Sequence, residues 1–153
     1  MGQQRTILLI EDDQVDAMTV KRAMGDAGCV SSIVHVTHGE SALAYLRSDV
    51  NPRPYLILLD LNMPKMNGLA FLREIKADPV LCGIPVVILS TSDSQDDVTD
   101  SFGTSAAAYV TKPMDYRQFV AKMRAIEQYW QINRLPGDEW KVYDVGVRTY
   151  PVG

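Results

Sequence analysis

The amino-acid sequence predicts an α/β fold in which a five-stranded parallel sheet is doubly wound, with helices on both faces. Short apolar runs alternate five times with segments whose apolar residues recur at helical spacing. Breakers containing Gly, Pro, Asn or Asp separate these segments. The chain has 153 residues, of which 46% are hydrophobic, enough for one compact core and too few for two ordinary domains. Strict alternation of strand and helix favours parallel strands joined by helical crossovers.

The first two strand–helix units occupy the N-terminal third of the chain. Thr6–Ile10 is a continuous apolar run, as expected of a buried parallel strand, and three acidic residues follow it. Val15–Ala27 has apolar residues at helical spacing, with Asp13 as the expected N-cap and a glycine as its stop. Ile33–Val36 predicts the second strand, and Ser41–Leu46 predicts a short amphipathic helix.

The middle of the chain repeats this alternation. Tyr55–Leu59 is a buried type of run that ends at an aspartate, and Leu69–Ala77 predicts a helix after a turn rich in Pro, Asn and Gly. Pro85–Leu89 predicts the fourth strand, which ends in Ser-Thr-Ser. Asp96–Gly103 predicts a weak helix.

The last unit precedes a tail of different character. Ala106–Val110 predicts the fifth strand, and Asp115–Trp130 has apolar residues at steps of three and four on one helical face. The tail is rich in aromatic and β-branched residues, and Lys141–Tyr150 favours a strand. We therefore expect a domain of residues 1–130 and a C-terminal extension of residues 131–153, whose apolar side chains pack on their own core or on a second subunit.

Acidic residues follow two of the predicted strands. Glu11 and Asp12 come after the first strand, and Asp60 comes after the third. In doubly wound sheets, ligands bind beyond the carboxyl ends of the strands. Three carboxylates meeting there repel one another unless a cation compensates, and Mg²⁺ prefers oxygen ligands of this kind. The sequence predicts a Mg²⁺ site in which Asp12 and Asp60 bind the ion directly and Glu11 binds it through water. The backbone carbonyl of Asn62 adds a further ligand.

The residues after the other strands suit phosphoryl transfer to a carboxylate. An aspartate can act as the nucleophile when positive charge offsets the repulsion between two anions. Lys112, after the fifth strand, and Mg²⁺ would place that charge beside Asp60. Ser90, after the fourth strand, offers a hydroxyl to the phosphoryl group, although Thr91 takes that role if the strand ends one residue later.

The sequence around these residues resembles the receiver domains of two-component response regulators. The resemblance lies in Ile7–Asp13 (ILLIEDD), Leu58–Gly68 (LLDLNMPKMNG), Val86–Ser92 (VVILSTS) and Tyr109–Pro113 (YVTKP). It implies a flavodoxin-like fold with strand order 2-1-3-4-5 and a single-domain response regulator.

The resemblance also implies a role for each site residue. Asp60 would accept a phosphoryl group from a histidine kinase, beside the acidic pair Glu11 and Asp12, and Lys112 would bind phosphate. Ser90 would be the switch hydroxyl. In the same comparison, Tyr109 is the aromatic residue whose ring moves inward as phosphorylation remodels a protein-interaction surface.

Two further segments resemble the small receivers that accompany bacterial and cyanobacterial phytochrome-type histidine kinases. They are Thr111–Phe119 (TKPMDYRQF) and Ile126–Pro136 (IEQYWQINRLP). This narrower resemblance implies a photoreceptor kinase as phosphodonor. It also implies a homodimer built partly from the last strand, the last helix and the C-terminal extension, and leaves the downstream protein unidentified.

Composition excludes several other classes of partner. The formal net charge of −4 gives no basic field for a phosphate backbone, which argues against nucleic-acid binding. No apolar run approaches the roughly 20 residues that a membrane helix needs. Two separated cysteines and no signal-peptide pattern favour a reducing compartment, so we expect a cytoplasmic protein. The resemblance to response regulators implies that it is not a conventional enzyme and catalyses only its own phosphorylation and slow dephosphorylation.

Three alternative functions remain open at this point. The chain could be a receiver-like module that binds partners without phosphorylation, although its acids and lysine argue against that. An aspartyl phosphatase would have a second aspartate where Asn62 stands, and an FMN carrier would need a neutral loop where the three acids stand. We expect His35 and His38 to be structural or surface residues away from the active strand ends.

Overall fold

The computed structural model describes residues 5–61 and 67–133, which form five strands and five helices. In chain order these are β1 (Thr6–Ile10), α1 (Gln14–Asp26), β2 (Ser32–Val36), α2 (Gly39–Arg47), β3 (Leu56–Asp60), α3 (Gly68–Ala77), β4 (Val86–Ser90), α4 (Gln95–Gly103), β5 (Ala108–Thr111) and α5 (Tyr116–Ile132). Every element predicted within the described residues is present, with ends that differ by at most two residues. The predicted strand Lys141–Tyr150 and the extension from residue 134 onward lie outside the described residues.

The strands form one parallel sheet in the order β2-β1-β3-β4-β5. This confirms the predicted doubly wound fold and its strand order. Because β1 and β3 are neighbours at the centre of the sheet, the residues that follow them meet at one edge. Strand order reverses there, which is where ligands bind in folds of this type.

The alternation of side chains along the strands divides the core into two layers. Ile7 and Leu9 of β1 face a layer covered by α1 and α5, whereas Leu8 and Ile10 face a layer covered by α2 and α3. Both layers are apolar, which is why β1, β3 and β4 are continuous apolar runs. In α4, by contrast, Ser101 is the one residue described as buried.

Side chains fix where four of the helices begin. In each, the side chain of the residue before the helix accepts a hydrogen bond from a backbone N–H of the first turn. These caps are Asp13 for α1, His38 for α2, Asn67 for α3 and Asp115 for α5. The capping role predicted for Asp13 is confirmed. Ser94 precedes α4 and makes no such bond with the described residues, in keeping with the weak helix predicted there.

The fifth strand begins two residues later than predicted. The N–H of Ala106 donates to the carbonyl of Ser101 in α4, so Ala106 belongs to the turn that closes that helix. Ser105 has a φ of 70°, the left-handed conformation that ends many helices.

Among the described residues, no helix has both the length and the apolar character needed to cross a membrane.

Candidate functional site

Three carboxylates meet at the carboxyl edge of the sheet. Ile10 of β1 pairs with Leu59 of β3, so Glu11 and Asp60 are adjacent. One carboxylate oxygen from each of Glu11, Asp12 and Asp60 lies within 4.8 Å of the others. The structure therefore brings together the three acids that the sequence predicts.

The buried acid in this cluster is Glu11, which is only 1% exposed. Neither of its carboxylate oxygens has a hydrogen-bond partner among the described residues. Burial and the neighbouring Asp60 carboxyl raise the pKa of Glu11 to about 9, while the Lys112 ammonium opposes the rise. Buried carboxylate oxygens that lack hydrogen-bond partners among the described residues, beside two further acids, fit a hard divalent cation such as Mg²⁺ or Mn²⁺.

Lys112 reaches this cluster from β5. Its Nζ lies 3.8 Å from Oε1 of Glu11, and its side chain is 16% exposed. The N–H of Lys112 donates to the carbonyl of Ser90 at 2.7 Å, which extends the pairing of β4 and β5 by one residue and places the lysine at the same edge as the acids. A cation fixed here offsets negative charge both on the protein and on an incoming anion.

Ser90 is the last residue of β4 and is fully buried, whereas Thr91 is exposed. The Ser90 hydroxyl oxygen accepts a hydrogen bond of 3.1 Å from the N–H of Ser92 and keeps its own proton available for donation. Because β4 ends at Ser90, the later strand end that would give Thr91 the predicted role is not observed.

Tyr109 of β5 is tied to the loop between β4 and α4. Its ring packs on the α2–α3 layer of the core, and its hydroxyl donates to the carbonyl of Ser92 at 2.8 Å. The Ser92 hydroxyl donates to Asp97 Oδ2 of α4 at 2.6 Å and accepts from the N–H of Ser94. Ser92 therefore joins Ser90, Tyr109 and the first turn of α4 in one hydrogen-bonded group.

The first residue of α3 packs directly on the end of β3. A Cβ at Gly68 would lie 2.6 Å from the Cα of Leu61 and 2.8 Å from the carbonyl oxygen of Asp60. The N–H of Gly68 also donates to the carbonyl of Leu61 at 3.0 Å. Glycine is therefore required for the close approach that seats Asp60. Asn62, whose carbonyl the sequence predicts as a metal ligand, lies outside the described residues.

The expected position of His35, away from the active strand ends, is wrong. Its Nε2 lies 2.7 Å from the backbone carbonyl oxygen of Glu11. The prediction failed because the imidazole of His35 reaches Glu11, the residue that follows β1. That contact depends on the pairing register of β1 and β2, which cannot be known from sequence alone. His38 does fit a structural role, since its ring caps α2 through the N–H of Ser41.

Comparison with known protein families matches residues 7–124 to the response regulator receiver domain. Response regulator Rcp1 of Synechocystis is 36% identical over 130 residues, which cover 82% of this chain and 88% of Rcp1. The probable methanogenesis regulatory protein FilR2 of Methanothrix harundinacea is also 36% identical, over 135 residues that cover 86% of this chain and 87% of FilR2. The similarity extends over most of each relative.

Solved structures give the same result. The phosphorylated cyanobacterial phytochrome response regulator RcpA superposes with a TM-score of 0.80 at 38% identity, covering 88% of this chain and 99% of RcpA. The Mn²⁺-bound form of response regulator Rcp1 superposes with a TM-score of 0.78 at 36% identity, covering 86% of this chain and 99% of that one.

Proposed function

Because this chain belongs to the response regulator receiver domain family, we propose that it is a single-domain switch in which Asp60 accepts a phosphoryl group from a histidine kinase. The observation that best supports this is the carboxylate cluster with Lys112 beside it, where the buried oxygens of Glu11 have no hydrogen-bond partner among the described residues. Such a cluster fits a divalent cation and an attacking carboxylate at one edge of the sheet.

Each residue has a chemical task in this proposal. A carboxylate oxygen of Asp60 forms a bond to phosphorus as the bond from phosphorus to the kinase histidine breaks, and the imidazole leaves. Glu11, Asp12 and Asp60, with the carbonyl of Asn62, would hold Mg²⁺, which supplies positive charge beside the phosphoryl oxygens. Lys112 adds a fixed ammonium on the same oxygens. The protein catalyses only this transfer and the later slow hydrolysis of its own acyl phosphate.

The readout in this proposal starts at Ser90. Its hydroxyl proton is free to bind a phosphoryl oxygen on Asp60, while its oxygen is already tied to Ser92. Tyr109 is joined to the same Ser92, so a shift of Ser90 is transmitted to β5 and the start of α4. Phosphorylation would favour one of two arrangements of this surface and thereby change which protein binds there.

Acetyl phosphate tests the proposed chemistry without a kinase. With Mg²⁺ the protein should gain about 80 Da, the mass of one phosphoryl group, and the gain should vanish with EDTA or in Asp60→Asn. Asp49→Asn changes an exposed aspartate in the loop before β3, at the opposite edge of the sheet, and should label normally. Absence of a gain that depends on Asp60 would favour the phosphorylation-independent interaction module instead.

We further propose that the phosphodonor is a phytochrome-type kinase. RcpA, named as a phytochrome response regulator, is 38% identical and aligns over 99% of its length. FilR2 is named for a different process at 36% identity, so the donor must be tested directly. Phosphotransfer from an autophosphorylated phytochrome-type kinase should be much faster than from an unrelated histidine kinase; equal rates would contradict this assignment.

We propose that the protein is a cytoplasmic homodimer that does not bind nucleic acid. Residues 131–153 would be the dimerisation arm of the domain formed by residues 1–130. At the end of α5, Tyr129 is 56% exposed and Ile132 is 84% exposed, which leaves apolar surface where the arm begins. Sedimentation of the full chain should show a dimer that phosphorylation strengthens. A monomer at all concentrations, with and without acetyl phosphate, would contradict this.

A further inference from the structure

The ring of His35 holds the backbone of the acidic loop. Its Nε2 is 2.7 Å from the carbonyl oxygen of Glu11, and a carbonyl can only accept, so Nε2 bears the proton and donates it. The ring is half-buried. His35 pairs with Leu9 across β1 and β2, which makes Glu11 its diagonal neighbour on the same face of the sheet.

The hydrogen bond from His35 to the carbonyl of Glu11 lies where the pairing of β1 and β2 ends. The N–H of Glu11 donates to the carbonyl of Val36 at 3.0 Å, immediately beyond the last paired residues of β1 and β2. The imidazole then binds the carbonyl of the same residue. Glu11 is thus fixed through both of its backbone polar groups, and two residues later Asp13 fixes the start of α1 through two N–H groups.

Fixing the carbonyl of Glu11 also fixes the peptide plane that leads from Glu11 into Asp12. Glu11 is 1% exposed, and its carboxylate has the ion pair with Lys112 but no hydrogen-bond partner among the described residues, so the position of its backbone contributes to where the carboxylate lies. If the carbonyl of Glu11 rotated, the peptide plane between Glu11 and Asp12 would turn with it and move Asp12 relative to the carboxylates of Glu11 and Asp60. Groups that hydrogen-bond the residues ligating a metal commonly control the affinity for that metal by orienting its ligands.

We propose that His35 is a positioning residue for the divalent-cation site, which acts by hydrogen-bonding the carbonyl of Glu11 so that the three carboxylates converge. The proposal rests on the proposed function, because it requires a cation at Glu11, Asp12 and Asp60. It concerns the hydrogen bond itself, and a neutral donor of the same reach should replace the imidazole.

The test compares Mn²⁺ binding, measured by the electron paramagnetic resonance of free Mn²⁺, in four forms of the full chain. His35→Leu removes the donor at similar volume and should weaken binding about tenfold. His35→Gln places an amide N–H at the position of Nε2 and should restore most of the affinity. His38→Ala, the matched control, removes the cap of α2 and should lower the unfolding midpoint without changing Mn²⁺ affinity.

Urea unfolding in EDTA shows whether each variant folds. If His35→Leu does not fold, His35→Asn replaces it, because its donor is too short to reach the carbonyl. Equal affinity in the wild type and in the variant without the donor would overturn the role of His35. Loss of affinity in His35→Gln as large as in His35→Leu would also overturn it, since a packing defect would then explain both. No Mn²⁺ binding by the wild type would instead overturn the proposed function.

Discussion

At the residue scale, the site is defined by a buried acid whose carboxylate oxygens have no hydrogen-bond partner in the part of the chain that the structure describes. Glu11 and Glu127 are both buried, at 1% and 7% exposure. Glu127 lies in α5, where it accepts hydrogen bonds from Tyr55 and from Gln131, at 3.4 and 2.8 Å. Among the described residues, Glu11 has one ion-pair partner, Lys112, at 3.8 Å and no hydrogen-bond partner. Of these two buried acids, Glu11 is therefore the one whose carboxylate can bind a ligand.

Replacing Glu11 tests how much free energy it costs to bury its charged carboxylate when no divalent cation is bound. Without a divalent cation, the pKa of Glu11 rises from 4.5 to about 9 on folding, chiefly through burial. Between those two pH values the folded protein keeps a proton that the unfolded chain releases, so the free energy of unfolding falls as pH rises. Glu11→Gln lacks this dependence and should be more stable than the wild type at pH 7.5, by on the order of 2 kcal/mol.

The measurement is urea unfolding in EDTA at pH 5 and pH 8. The wild type should lose stability relative to Glu11→Gln across this interval, and excess Mg²⁺ should reverse the order, because a ligand that binds only the folded state stabilises it. Parallel pH profiles for the two proteins would show that Glu11 is not strained by burial.

The sequence predicted the residues that carry charge and missed the one that acts through the backbone. Three carboxylates and Lys112 could be located because each directly follows an apolar run, and parallel strands end at one edge. His35 is inside such a run, so its contact with Glu11 depends on the β1–β2 register and on the direction of its ring. Neither can be derived from spacing.

At the scale of elements, α3 and α4 contact the site in different ways. The start of α3 is packed without free space against Asp60 and Leu61. The start of α4 is held by Ser92 in place of a capping side chain. We therefore expect substitutions in α3 to affect stability and the position of Asp60, and substitutions in α4 to affect local order.

Gly68→Ala tests the packing of α3. Its new Cβ would overlap Leu61 and the carbonyl of Asp60, so the variant should lose about 1–3 kcal/mol of stability and label slowly with acetyl phosphate. Gly25→Ala is the control, because a Cβ there meets nothing within 4 Å and should stabilise α1 by about 0.5–1 kcal/mol. Equal effects of the two substitutions in urea unfolding would show that the close approach is unimportant.

Asp97→Asn tests the attachment of α4. Losing the charge-assisted bond from Ser92 should cost about 1 kcal/mol and speed amide exchange in α4 roughly fivefold. Asp96→Asn removes the same charge from the first turn, where Asp96 is exposed. It is the control for helix-dipole effects, and comparable exchange in the two variants would assign the stabilisation to charge alone.

Element types could be predicted throughout, and their ends less well. The prediction for β5 began too early because Ala106 and Ala107 are apolar like the strand. The bond from Ala106 to Ser101 assigns Ala106 to the end of α4. Helix α5 begins where predicted because Asp115 is a strong cap, a local signal. The cap could therefore be predicted from the sequence, whereas the residue at which β5 begins depends on a backbone hydrogen bond that composition does not reveal.

At the scale of the whole molecule, the two edges of the sheet differ in function. At the amino edge, a polar cluster centres on Tyr55. The guanidinium of Arg5 stacks on its ring, and its hydroxyl contacts the hydroxyl of Ser31 and the carboxylate of Glu127. Burial raises the pKa of Tyr55 to about 12, which keeps it a neutral donor. That edge is closed by its own polar contacts, whereas the carboxyl edge presents acids, a lysine and a hydroxyl to a ligand.

The central claim is that this carboxyl edge directs a phosphoryl group to Asp60, and locating the modification tests it most directly. After labelling with acetyl phosphate and Mg²⁺, borohydride reduction converts an acyl phosphate on aspartate to homoserine, which peptide mass spectrometry can locate. We predict homoserine at position 60 alone. Homoserine at another acidic residue, or phosphate that resists reduction on a serine, would contradict the account.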